Sequence, residues 1–309
     1  MMLRGFDIAM HFTALLLLPP LMIGLINRTK AIAAGRTGPP LLQPYFDILK
    51  LLRKGIILSR STSFVFLAGP AVGLVATIAV GLLVPFGHHT APVSFTGDML
   101  ALIYLLALGR MATILAALDT ASAFEGMGAA REASFSALAE PALILGLIVM
   151  ARLTGAYDLS GMFVQPIADG LGYAGAAMPL VAASWFIVVL AENCRIPFDD
   201  PNTHLELTMV HEVMVLDHSG PTLAVIEYAA AMKLFVMGAL LQSVVVPVST
   251  GYGVIDWAIF LSGSAVLAIV IGLVESHIAR LRFITVPNLL ICACLLSAFG
   301  VTLLLSVGP

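Results

Sequence analysis

Eight stretches of this chain are apolar for close to twenty residues each, at about 7–26, 64–86, 98–119, 137–156, 175–192, 223–247, 255–275 and 287–307. A run of ~20 apolar residues is long enough to cross the hydrocarbon core of a bilayer as a helix. No water satisfies stray peptide groups in lipid, so only helices and closed barrels cross it, and runs this long favour helices. The expected fold is therefore all-α, a polytopic integral membrane protein with about eight transmembrane helices. Charged residues make up 11% of the 309, where a soluble domain carries roughly a quarter. The net charge of −3 is no guide to nucleic acid, and no basic stripe supports such binding.

The bases are distributed unevenly. Connections after the first, third, fifth and seventh spans hold Arg28, Lys30, Arg36, Lys50, Arg53, Lys54, Arg60, Arg131, Arg195, Arg280 and Arg282. Those after the second, fourth and sixth hold no Lys or Arg, though Arg152 lies at the end of the fourth span. By the positive-inside rule the odd-numbered connections are cytoplasmic and both termini lie outside, with Arg4 the contrary base near a terminus. The first span runs through Pro19-Pro20 without a cleavage pattern, so a cleaved signal peptide is not expected.

The first connection, 27–63, is more than a linker. From Pro44 it reads PYFDILKLLRK, with Tyr45, Ile48, Leu49 and Leu52 on one helical face and Asp47, Lys50, Arg53 and Lys54 on the other. Proline suits the first turn of a helix. The pattern predicts an amphipathic helix lying at the interface.

The segment Leu190–Gly220 gathers six of the eighteen acids and three of the seven histidines against a single base, Arg195. Charges also fall within or at the ends of spans: Arg110, Asp119, Glu140, Glu192, Glu227 and Lys233. A charge near a helix centre costs about 2.5–3.5 kcal/mol on insertion scales, so such residues usually have a reason. Arg110 and Asp119 suit snorkelling or a structural ion pair. Glu140, Glu192 and Glu227 come from three spans and point to the same side, which suits a proton path, with polar helix packing as the alternative. Glu227 and Lys233 are six apart and need not pair. His204, His211 and His218 recur every seven residues and would share a face of one helix, but the spacing is not a zinc pattern. Asp199 and Asp200 precede Pro201 and suit a turn that caps the next segment. Cys194, Cys292 and Cys294 fall short of a four-cysteine cluster set and read as buried small hydrophobes. The chain carries no dinucleotide fingerprint or P-loop.

Several ordered stretches together resemble the subunit 1 family of respiratory complex I. The branch they most resemble is that of formate hydrogenlyase, hydrogenase-4 and other energy-converting membrane NiFe hydrogenases. In the first connection, GRTGPPLLQPYFDILKLLRK matches at Arg36, Gly38, Pro39, Gln43, Pro44, Asp47 and Lys50. Leu118–Pro141 looks most like the hydrogenase branch. AENCRIPFD matches at Glu192, Arg195, Pro197, Phe198 and Asp199, followed by Glu206-Leu207, by Asp217, Ser219 and Gly220, by Glu227-Tyr228, and by RLRFITVPNLL. Two departures stand out. The complex I branch has further glutamates after Pro-Phe-Asp, where this chain has Asp200-Pro201-Asn202-Thr203-His204. The segment before Asp217 is also longer and includes Glu212. Both fit a hydrogenase-like relative better than a quinone-binding one.

The resemblance implies a membrane anchor in the bacterial cytoplasmic membrane that couples a cytoplasmic redox arm to proton or Na⁺ movement. Expected partners are NiFe hydrogenase-like large and small subunits, an iron–sulfur subunit and antiporter-like membrane subunits. This chain would bind no cofactor itself, quinone being the doubtful exception. Glu140, Glu192, Glu206, Glu212 and Glu227 are the expected relay acids. Arg36, Asp47, Arg195, Asp199, Arg280 and Arg282 are the expected docking residues for the hydrophilic subunits. Two other readings stay open: a quinone-binding subunit of an NADH:quinone oxidoreductase, and a free-standing cation or proton transporter.

Overall fold

The structure is a computed structural model that describes residues 2–164, 171–199, 209–247 and 249–306, excluding the side chains of 2–4 and 171–175. Its helices, in chain order, are α1 (Met2–Ala33), α2 (Gln43–Leu52), α3 (Phe64–Leu83), α4 (Asp98–Asp119), α5 (Ala123–Thr154), α6 (Leu159–Val164), α7 (Leu171–Glu192), α8 (His211–Met214), α9 (Pro221–Val245), α10 (Gly253–His277) and α11 (Val286–Ser306). There is no strand among the described residues. Seven of the helices are long and apolar enough to cross a membrane, and α7 adds an apolar stretch over Ala176–Glu192.

α9 is the axis of the bundle. Apart from Glu227, Lys233 and Gln242 it is largely apolar, and almost every side chain from Ala231 to Leu241 is buried, as expected of a helix without a solvent face. Around it pack α1, α3, α7 and α10. α4 packs beside α3, while α5 and α11 close the ring against α7. Large apolar side chains line the perimeter, among them Leu108 and Leu115 on α4, Val266 on α10 and Phe299 on α11. An apolar surface of this extent marks a lipid or protein contact rather than water.

Two prolines shape α1. Pro20 has no N–H to donate to the carbonyl of Leu16, one turn back. The hydroxyl of Tyr228 on α9 donates to that oxygen at 2.7 Å, so the helix defect becomes a tether between elements. The hydroxyl of Tyr45 on α2 likewise donates to the neighbouring carbonyl of Leu17. α2 therefore lies against α1 and α9, with Pro44 in its first turn as expected. Its apolar girdle is wider than its contact face: Tyr45 and Ile48 are half-buried, whereas Phe46, Leu49 and Leu52 stay exposed.

Two sequence expectations need correcting. The fourth apolar run is expected to start near 137, yet α5 begins at Ala123. Residues 123–136 are rich in alanine and polar side chains, so they lack the hydropathy of a span while keeping the propensity of a helix. Cysteine burial also differs, because Cys292 is exposed on the outer side of α11.

Connections gather at two ends. At one end, Ser61 of the first connection donates to the carbonyl of Thr120, Ile57 N–H donates to Ser219, and Leu281 N–H donates to the carbonyl of Pro197. At the other, Gly97 N–H donates to the carbonyl of Tyr157, and His89 lies 3.2 Å from the carbonyl of Gly253.

Candidate functional site: a buried acid–base axis

Glu192, the last residue of α7, is the hub. Its Oε1 accepts from Nη1 of Arg110 on α4 at 2.7 Å, and its Oε2 accepts from Nζ of Lys233 on α9 at 2.8 Å. Lys233 also donates to the carbonyl of Glu192 at 2.7 Å, capping the frayed end of α7. The second arm of the Arg110 guanidinium bonds to Glu140 of α5. The result is a line of alternating charge through four helices: Glu140, Arg110, Glu192, Lys233. With each group ionised the line is neutral, as burial demands. A charge taken out of water costs several kcal/mol unless it is paired and hydrogen-bonded.

A third acid lies beside this line. Glu132 of α5 is buried, and it has no Lys or Arg within ion-pair distance among the described residues. The thiol of Cys194 approaches its Oε2 at 3.9 Å. Cys194 itself stays a thiol, because burial pushes its pKa well above the ordinary value.

Three adjoining cavities follow the axis. A small one lies between Arg110, Glu140, Glu192 and Val188. A second, about 100 Å³, takes in Arg110, Glu192, Lys233 and Glu132 and reaches His211 and Cys194. The third is the largest, about 260 Å³, and is walled by Arg195, Asp199, His211, Glu212, Glu227 and Asn27. Neighbouring cavities share walls: Arg110 and Glu192 between the first two, His211, Cys194 and Asn193 between the second and third. Polar walls of this size suit ordered water.

The loop groups are tuned by burial. Glu212 has its pKa raised to about 7, first by burial and then by the charges of Glu227 and Asp199. His211 is lowered to about 4 by burial and by the nearby Lys233 and Arg195, so it is a neutral imidazole at physiological pH. A neutral imidazole holds one donor and one acceptor nitrogen, which is what passing a proton between two cavities requires.

The loop 193–220 is held by ion pairs of its own. Asp199 Oδ1 accepts from Arg280 at 2.8 Å, and its Oδ2 accepts from the backbone N–H groups of Val210 at 2.8 Å and His211 at 3.3 Å. Asp199 thus holds the start of α8, while the segment directly after Pro201, which it is expected to cap, lies outside the described residues. Buried Glu275 on α10 pairs with Lys30 of α1 at 2.8 Å and lies 3.5 Å from Arg195.

The structure brings together Glu140, Glu192, Glu212 and Glu227 along the one set of cavities. Glu206, His204 and Asp200 lie outside the described residues. Arg110 makes ion pairs with Glu140 and Glu192. Asp119 caps α3, accepting from Ser63 N–H at 2.6 Å, Ser63 hydroxyl at 2.7 Å and Phe66 N–H at 3.2 Å. His211 and His218 do not share a helix, since α8 ends at Met214, and buried His218 stacks on Phe66. Lys233 pairs with Glu192, not with Glu227. Of the expected docking residues, Arg36, Asp47 and Arg282 are exposed, Arg280 is half-buried, and Arg195 and Asp199 are buried. Glu132 and Glu275 are not among the sequence-predicted residues. The signal for Glu132 is its spacing of seven from Glu125, which sets two buried acids on one face of α5.

A helical membrane bundle with a buried acid–base line leading to an acid-lined loop defines a class: multi-pass membrane proteins with charges retained inside the hydrocarbon span. The chain belongs to the NADH dehydrogenase family, the complex I subunit 1 family, whose model matches residues 6–306. It is 30% identical over 280 residues to hydrogenase-4 component C of Escherichia coli (89% of this chain, 87% of that one). It is 31% identical over 290 residues to formate hydrogenlyase subunit 4 of the same organism (87% and 89%). With an NADH-quinone oxidoreductase subunit from Rubrobacter xylanophilus it shares 31% identity over 209 residues (66% and 62%). Its fold matches a chain of the membrane-bound sulfane sulfur reductase, an archaeal respiratory membrane complex, with a TM-score of 0.82 at 18% identity over 97% of this chain and 99% of that one.

Proposed function

We propose that this chain is the membrane anchor and ion-coupling subunit of an oxidoreductase complex of the hydrogenase-4 and formate hydrogenlyase type. The observation that carries this reading is the alternating line Glu140–Arg110–Glu192–Lys233 and its cavity connection to Glu212 and Glu227. Protonation of Glu192 would release Lys233 and one arm of Arg110, leaving each base free to favour another carboxylate. Charge arriving at the loop is in this way felt at Glu140, several helices away. Glu132 and His211 join Glu140, Glu192, Glu212 and Glu227 as relay groups.

The end that carries the loop 193–220 is the cytoplasmic one in this reading, supported by the bases gathered there and the bilayer's preference for positive charge inside. The redox arm, with NiFe hydrogenase-like large and small subunits and an iron–sulfur subunit, docks on that end. Exposed Arg36, Asp47 and Arg282 are its contacts. Buried Arg195 and Asp199, with Arg280, instead shape the loop that the arm presses on. An antiporter-like membrane subunit covers the perimeter at Glu140.

Replacing Glu192 by Gln removes the titratable hub and keeps its size. In the assembled complex, ion movement per redox turnover is expected to fall about tenfold or more, with Glu227→Gln showing the same direction. Normal assembly with full coupling in both variants would remove these residues from the path.

A further inference from the structure

The end of the bundle away from the acid loop carries its own titratable group, which the relay does not use. His89 sits in the connection between α3 and α4. Its Nδ1 is 3.3 Å from Oδ1 of Asp7 on α1, and its Nε2 is 3.2 Å from the backbone carbonyl of Gly253 at the start of α10. Both of these partners are acceptors. The Nε2 contact is a hydrogen bond, which a neutral imidazole protonated at Nε2 already makes, whereas the Nδ1 contact is an ion pair that needs the imidazolium. Its ring also stacks on Trp257 of α10, whose Nε1 donates to the same Asp7 oxygen at 3.4 Å. One imidazole therefore ties three elements together, and it does so fully in its charged form.

The backbone gives this loop a reason to be tied. Gly87 and His88 both have positive φ, 58° and 64°, and the second is a conformation that a side chain disfavours. Such a turn persists where surrounding contacts hold it. The other titratable groups nearby have different partners. His11 of α1 bonds through Nε2 to the carbonyl of Gly81 and stacks on Phe86. Asp256 of α10 accepts from Ser249 and Thr250. His88 faces inward towards Asp256 and Gln242, and burial lowers its pKa.

We propose that His89 is a proton-operated clasp: in its imidazolium form it locks the α3–α4 connection onto α1 and α10, so this end of the bundle tightens as the compartment it faces acidifies. A neutral His89 keeps the hydrogen bond to Gly253 but loses the ion pair with Asp7, and frees the connection to move.

Hydrogen exchange by mass spectrometry on the intact complex, from about pH 5.5 to about 8.5, tests this directly. After correction for intrinsic rates, peptides covering 84–97 are expected to exchange about fivefold more slowly at the acid end, the scale of one partly shielded ion pair. His89→Gln is expected to abolish the dependence, and His88→Gln to retain it. Asp7→Asn keeps an acceptor but removes the charge, so it should move the midpoint to lower pH even if His89→Gln fails to assemble. A flat wild-type profile overturns the clasp. So does an unchanged midpoint in Asp7→Asn, or a dependence that vanishes with His88 rather than His89.

Discussion

Glu192 and Glu212 show how position decides what a carboxyl does. Glu192 sits between two bases, and either alone would leave the cluster unbalanced by a full buried charge. Glu212, five residues from Asp217 on the loop, has acids as its charged neighbours, Glu227 and Asp199. With its pKa raised from 4.5 to about 7, it holds a proton in the folded protein that the unfolded chain has lost. Stability therefore declines as pH rises from 4.5 towards 7 and is level beyond, because the folded state binds the extra proton only in that window. In infrared difference spectra of the complex, protonated-carboxyl intensity titrating near pH 7 is expected to be reduced in Glu212→Gln. Intensity at that pH unchanged by the substitution would contradict this assignment.

At the scale of elements, the approach of α8 to α5 rests on one missing side chain. A Cβ on Gly128 would lie 2.3 Å from Val213 Cγ1, 2.9 Å from Met214 Cγ and 3.0 Å from the carbonyl oxygen of Val210. Alanine in a helix interior is favoured over glycine by up to about 1 kcal/mol. Here the clash works against that preference, because Val210 meets it with backbone that has no rotamer to change. Gly128→Ala is expected to destabilise by about 1–2 kcal/mol net, seen as a lower melting temperature and faster exchange over 209–215. A neutral or stabilising result would mean that the loop adapts without cost. This contact also marks where sequence reading reaches its limit. Hydropathy locates α3, α4, α9, α10 and α11 closely, since a span must be apolar whatever its neighbours. It places the fourth span late because the first turns of α5 face the α8 loop, and alanine and glycine chosen for close approach carry no hydropathic signal. For the same reason Glu132 stays hidden, as part of what looks like a connection. Glu140, Glu192 and Glu227 are legible because a charge within or at the end of an apolar run is costly enough to need a reason. That Arg110 joins two of them is not legible, since pairing across helices depends on a packing order that no local pattern encodes.

On the scale of the whole molecule, the axis has an end that the chain does not cover. Glu140 is midway along α5, and its side chain is 35% exposed at the bundle's perimeter while bonded to Arg110. Hydrocarbon is a poor neighbour for a carboxylate, and on insertion scales a charge at a helix centre costs about 2.5–3.5 kcal/mol. Partial neutralisation by Arg110 lowers that cost without removing it, because among the described residues the second carboxylate oxygen has no donor. A neighbouring membrane subunit that supplies polar contact at this point would relieve it and extend the polar line. Ala137, one turn from Glu140 and exposed, reports on the face without disturbing a charge. With the three native cysteines replaced by alanine, Ala137→Cys is expected to react readily with a membrane-permeant maleimide in the isolated chain and to be protected in the assembled complex. Equal labelling in both would put lipid, not protein, against Glu140, and would confine the polar axis to this chain.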